Sequence, residues 1–340
     1  MRTLRLGSFL LHGITLSIAI FLHAPALWPQ ALSDRPLRFE HISAAQGLSQ
    51  ASAICLLQDH EGFMWVGTAA GLDRYDGYGF TKYKHDAADS TSISAGWVVS
   101  IHEDRSGTLW AGTYGGGLNR FDRATERFTR FVHDPDNPQS LSANIVRVIY
   151  EDRSGALWVG TDEGLNQFNR DTQAFTRFLY DPRNPDGSSQ NIICAIYEDR
   201  FNTLWIGTEG NGIYQLDRGT QKFTRIVHDP NNPHSLSDNT VRAFYEDRAG
   251  RLWLGTGWGG LNQFDYATQR FTRFVHDPKN PQGLSHPEVW TIGEDRLGKL
   301  WLGLVDGGLN SFDPATQKFT HYVQDPKNPY SLSNNRVSAV

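Results

Sequence analysis

Asp162-Glu163, Glu209 and Asp306 stand at corresponding points of a repeating chain, each just past an apolar run that begins Leu-Trp. With Glu288 they form a set of acids that could act on glycans. Glycosidic acid–base chemistry needs two carboxylates about 5–9.5 Å apart across a cleft. Nothing in the spacing pairs any two of them, so no catalytic residue is assigned. No nucleophile elbow, phosphate loop or clustered metal motif occurs either, and no metal or cofactor is expected.

The neighbours of these acids suit binding better. Tyr114, Asn211 and Trp258 lie in the same loops. Trp97, Arg147, Arg242 and Trp290 lie near the starts of the preceding strand-like runs. Aromatic platforms mixed with carboxylates, amides and guanidinium groups match a sugar, whose ring has apolar faces to stack and hydroxyls that need donors and acceptors. The expected ligand site is therefore Trp97, Tyr114, Arg147, Asp162, Glu163, Glu209, Asn211, Arg242, Trp258, Trp290 and Asp306. Structural readings compete at several of these. Trp290 could be filler between sheets, Arg147 and Arg242 could serve ion pairs, and Asp162-Glu163 could be a solvated turn.

The elements that must position these residues follow from the repeat. Trp65, Trp110, Trp158, Trp205, Trp253 and Trp301 are 45, 48, 47, 48 and 48 residues apart. In the copy around Trp158, Ile145–Asp152 is rich in β-branched and aromatic residues, and a turn with Gly155 follows. A second strand contains Trp158, a third starts at Gly164, and a fourth contains Phe175. A connection rich in proline, asparagine and aspartate then leads to the next copy. No 3.6-residue apolar stripe is long enough for a helix. Four short antiparallel strands per copy at this period are the plan of an all-β propeller. One such sheet cannot bury both faces alone, so the tryptophans, with Phe128, Phe175, Phe223, Phe271 and Phe319, are expected to fill the space between blades. The turn aspartates, such as Asp152, Asp199 and Asp247, should accept backbone N–H bonds.

Six complete blades are expected, plus the first and last strands of a seventh. Arg38-Phe39-Glu40-His41 resembles Arg130-Phe131-Val132-His133 at the end of a fourth strand, and Arg336–Val340 matches the start of a first strand. The expected domain is thus an incomplete ring over residues 37–340, truncated at its C-terminus. Within the repeat, loops after the second strands share a face with the connections between blades. Those loops vary in chemistry, so this face is the expected binding face.

Residues 1–33 differ in kind. Arg2 and Arg5 precede an apolar run from Ile14 to Leu22, followed by Ala24-Pro25-Ala26. This order reads as a secretory signal peptide or, if uncleaved, an N-terminal anchor. The net charge of −5 offers no basic stripe for nucleic acid. The two cysteines, Cys55 and Cys194, fall three repeats apart, and are expected as small buried thiols without a bridge. His133, His228 and His276 recur on outer connections where they could not converge on one ion.

The run LWVGT, the strand GLNRFD from Gly117 and the connection HDPNNPHSLSDN from His228 resemble the two-component regulator propeller repeat, over nearly all of residues 37–340. The resemblance implies the periplasmic sensor part of a sensor or hybrid histidine kinase that responds to oligosaccharides. It implies an exported segment that is not itself an enzyme, further C-terminal domains of the same polypeptide, a parent protein in the inner membrane, and dimerisation of that parent. A secreted glycoside hydrolase and a protein-binding scaffold remain the alternative readings.

Overall fold

The structure is a computed structural model and describes residues 37–178, 192–220 and 222–340. Among these, twenty-four strands form six four-stranded antiparallel sheets, each in chain order. The first strands of successive sheets lie beside one another, so the sheets are the blades of a propeller. The expected signal or anchor segment lies outside the described residues.

Blade three shows why the sequence folds this way. Its strands are Val146–Glu151, Leu157–Thr161, Gly164–Asn169 and Ala174–Phe178. Every residue of Leu157–Thr161 is buried, because neighbouring blades cover both faces of the inner strands. The outermost strand alternates, with Phe175 buried and Thr176 exposed. Phe128, Phe175 and Phe271 are buried as expected, while Phe223 and Phe319 are only half-buried. The closer partners of the tryptophans are third-strand phenylalanines of the next blade. Trp65 meets Phe121, Trp110 meets Phe168, Trp205 meets Phe264 and Trp253 meets Phe312 edge-on, with centroids 5.0–5.6 Å apart.

The repeated turn does more than close a hairpin. The Asp152 carboxylate accepts N–H bonds from Ser154 at 2.9 Å and Ala156 at 3.1 Å. Its other oxygen accepts the indole N–H of Trp158 at 2.7 Å. The same indole-to-aspartate bond recurs in all six blades at 2.7–3.1 Å. Successive blades are also tied by charge. Arg218 of blade four donates to Asp152 of blade three at 2.9 Å and to Glu198 of its own blade at 2.8 Å. Arg170 and Arg123 repeat this bridge one and two blades earlier. The histidines clip the connections, with Nδ1 of His133, His228 and His276 each 2.7 Å from a leucine carbonyl.

Close approach between blades depends on a glycine in each second strand. An added Cβ on Gly255 would stand 2.7 Å from the backbone oxygen of Val289 and 2.9 Å from its Cγ1. A backbone oxygen in a packed strand cannot give way. Gly255→Ala should therefore lower stability by about 1–3 kcal/mol through overpacking, read as a lower urea midpoint. An unchanged midpoint would show that this spacing is not set by the glycine.

The expected two strands of a seventh blade are a correction. Neither residues 37–43 nor residues 336–340 form a ladder. Phe39 instead donates its N–H to the Tyr330 carbonyl at 3.0 Å and packs with Leu309, Leu332 and Val337. Val337 does lie against blade six as a first strand would. Its backbone oxygen is 2.7 Å from a Cβ built on Gly303, the distance found between Val289 and Gly255. Ala339 packs against blade one. A strand exists only as a hydrogen-bonded pair, and the described residues supply no second strand for these segments to pair with.

Candidate functional site

The first strands run Ala53–Gln58, Val98–Glu103, Val146–Glu151, Ile193–Glu198, Val241–Glu246 and Val289–Glu294. Each carries an irregularity one residue from its start. The ladder to the second strand skips Ile54, Val99, Arg147, Cys194, Arg242 and Trp290 in turn. A β-bulge leaves one residue unpaired and re-aims its side chain. All six of these residues line a single cavity of about 490 Å³. The sequence aligns the six positions, but its apolar alternation gives no sign of the bulge that turns them inward.

Two lining residues were missed by the sequence reading. Arg336 and Ser338 also face the cavity, although they belong to no strand. Their signal was the 48-residue offset from Glu288 and Trp290, the same offset that aligns the blades.

One part of the wall is aromatic. Trp97 and Tyr114 stack with centroids 4.8 Å apart and planes at 29°. The Tyr114 N–H bond to the Trp97 carbonyl at 2.8 Å fixes their approach. They are 46% and 45% exposed, so the pair keeps free ring surface. Trp290 forms another part. Its indole N–H donates to Glu288 at 2.7 Å, and the guanidinium groups of Arg336 and Arg242 lie 4.6 and 5.7 Å from its ring. Trp290 is thus a half-buried wall residue and not filler between blades.

The arginines are held differently. Arg147 grips the Asp162 carboxylate through Nε and Nη2. Burial works against the charge of Arg147, but the hydrogen bonds and charge of Asp162 outweigh it and raise its pKa. Arg242 is 3.4 Å from Glu288 and 4.0 Å from Glu209, and its buried Nε makes no hydrogen bond among the described residues. Cys194 lies in the wall with its thiol pushed up to about 12 by burial, so it stays protonated and inert. Burial does the same to Cys55, and the two cysteines are unbridged.

The structure does not gather all the expected residues. Trp97, Tyr114, Arg147, Arg242 and Trp290 line the cavity, with Asp162 and Glu209 against its arginines. Glu163 is exposed in a turn, where its N–H bonds Thr161 Oγ1 at 3.2 Å. The Asn211 side-chain oxygen is taken by Arg225 at 2.8 Å. Asp306 is exposed, and Trp258 is 69% exposed. None of these four lines the cavity. They sit one or two residues further along the loops after the second strands, whose first residues Tyr114, Asp162 and Glu209 reach the cavity or its arginines.

A family model described as Two component regulator propeller matches residues 47–70, 92–115, 140–163, 186–210 and 235–258. The chain carries two component regulator propeller repeats. In the third blade the matched regulator-propeller stretch contains both the bulge residue Arg147 and the Asp152–Trp158 pair. The repeat motif thus spans part of the cavity wall as well as the frame. Histidine kinase P4 of Formosa agariphila is 46% identical over 56 residues, 16% of this chain and 4% of that protein. A solved extracellular domain, assigned to a hybrid two component system of B. thetaiotaomicron, matches with a TM-score of 0.74 and 26% identity. That match covers 89% of this chain and 39% of the other. The chain therefore spans well under half the length of either relative. Virginiamycin B lyase from Staphylococcus aureus shares the fold alone, at 15% identity and a TM-score of 0.58 over 81% of this chain and 85% of the lyase.

Proposed function

We propose that this chain is the extracytoplasmic, ligand-binding propeller of a two-component sensor, and that it takes an oligosaccharide into the axial cavity. The observation that carries this reading is the cavity wall itself. It holds the stacked, half-exposed rings of Trp97 and Tyr114 in one lining with Arg242 and Arg336, whose buried Nε atoms make no hydrogen bond among the described residues. Sugars have the complementary surface, with apolar ring faces and hydroxyl acceptors. The regulator-propeller repeats and the likeness to a two-component extracellular domain support export and a sensing role. On this reading the N-terminal segment directs export, the parent protein sits in the inner membrane, and the output kinase lies in further C-terminal domains. Dimerisation of that parent would carry the signal.

The enzyme reading is weaker. Of the acids nearest the cavity, Asp162 is held by Arg147, and Glu288 accepts from Trp290 and lies beside Arg242. Both carboxylates are thus engaged by neighbouring side chains, and neither lines the cavity where a glycosidic oxygen would sit. Loss of a measurable glycan hydrolysis in Asp162→Asn and Glu209→Gln would restore this reading.

Calorimetry of the chain against an oligosaccharide panel tests the proposal. At least one member should bind, and Trp97→Ala should weaken it about tenfold, the loss of one aromatic stacking contact of about 1 kcal/mol or more. A panel that gives no binding heat would reject an oligosaccharide ligand.

A further inference from the structure

The side chains that line the axial cavity include Arg147, Arg242 and Arg336 but no carboxylate. Their acidic partners are Asp162, Glu209 and Glu288, which meet the arginines without lining the cavity. These partners differ in how fully they occupy each cation. Arg147 is engaged through two nitrogens by Asp162. Among the described residues, Arg242 has only the looser approaches of Glu288 and Glu209, and its Nε is buried without a hydrogen bond. Arg336 has no carboxylate within ion-pair reach among the described residues. Its guanidinium rests on the Trp290 ring at 4.6 Å, and its Nε is also buried without a hydrogen-bond partner. Ser338 Oγ, two residues on and in the same wall, is a third such atom.

A buried donor left without an acceptor is unfavourable, and a charged one more so. Two guanidinium groups at one indole, with a hydroxyl in the same wall, therefore form a site suited to an acceptor group. A guanidinium presents paired N–H groups in a planar fork that fits two oxygens of one oxyanion. Neutral hydroxyls could fill single donors but would leave the Arg336 charge unmatched. We infer that the bound oligosaccharide carries an acidic group, a carboxylate or a sulfate ester, seated at Trp290 between Arg336 and Arg242. This deepens the oligosaccharide reading above and rests on it.

The test is a calorimetric titration of the chain with three oligosaccharides of equal length: neutral, uronate-bearing and sulfated. An acidic member should bind at least about tenfold more tightly than the neutral one at low salt, and the advantage should shrink as salt rises. Whichever acidic arm binds more tightly identifies the oxyanion as carboxylate or sulfate. Arg336→Gln should remove most of the advantage, weakening the acidic sugar far more than the neutral one. Arg336→Lys, which keeps the charge but loses the fork, should retain part of it. Both variants should melt with the parent, because Arg336 is half-buried and makes no ion pair among the described residues. Equal binding of neutral and acidic sugars overturns the inference and leaves the oligosaccharide reading standing. An acidic preference that survives in Arg336→Gln overturns the assignment to this arginine. If none of the three binds, both readings fall.

Discussion

Trp158→Ala should lower the stability of the chain by about 3–5 kcal/mol, the range for deleting a large buried aromatic. Trp158 is 2% exposed and packs with Leu165 of its own blade and Ile196, Leu204 and Leu216 of the next. Burying a tryptophan removes roughly 150–250 Å² from water, about 4–6 kcal/mol gross at 25 cal per Å². The loss is also polar, because the indole N–H is one of the donors that satisfy the buried Asp152 carboxylate. Trp158→Phe separates the two effects. It keeps most of the apolar volume and should cost about 1–3 kcal/mol, the range for an unsatisfied buried acceptor, reduced by the Arg218 bond that remains. The equivalent Trp301 is only half-buried and its bond to Asp295 is 3.1 Å, so Trp301→Ala should cost less than Trp158→Ala. Urea unfolding monitored by circular dichroism reads all three. A Trp158→Ala midpoint equal to that of the parent would end the claim that the repeated tryptophan holds the blades together.

The frame was legible because it is repeated. A tryptophan every 45 to 48 residues marks one buried position per blade, and four strand-like runs between successive tryptophans set the blade. What single-copy composition does not show is which neighbour fills the gap. Fourth-strand phenylalanines such as Phe175 are aromatic and periodic, yet Phe168 of the third strand is what meets Trp110 across the blade interface. The turn aspartate was legible as a backbone acceptor. Its second oxygen, aimed at the indole, depends on a side-chain direction that spacing does not give.

The site was legible to the extent that copies could be aligned. Positions equivalent around a ring share one orientation, and the 45–48-residue period relates Ile54, Val99, Arg147, Cys194, Arg242 and Trp290, which together line the cavity. The bulge at each was hidden, because a residue skipped by the ladder looks the same in sequence as a paired one. Loop residues failed for a different reason. Glu163 and Trp258 have the right chemistry, but nothing in a loop sequence says whether its tip turns inward or outward. Arg336 carries the sequence signal of a strand start, and that signal does not show that its side chain lines the cavity.

The same turn predicts how the protein responds to acid. Asp104 is almost fully buried, and burial alone would push its pKa up. Hydrogen bonds from Ser106, the Trp110 indole, Arg170 and the Thr108 amide outweigh burial and set it to about 2. The carboxylates of Asp59 and Asp152, held by the same kinds of donor, are also shifted down. A folded-state pKa below the unfolded value adds stability that is fully present above the ordinary carboxylate range. That stability is lost as pH falls through the folded pKa. For Asp104 the shift from 3.8 to about 2 amounts to roughly 2 kcal/mol, lost between about pH 4 and pH 2. Asp104→Asn should therefore be less stable than the parent at neutral pH, because a neutral amide cannot accept these bonds as a carboxylate does. Its urea midpoint should fall less steeply with acid, and the two midpoint curves should converge toward pH 2. Parallel curves over that range would mean that the buried turn aspartate is not what couples this propeller to protons.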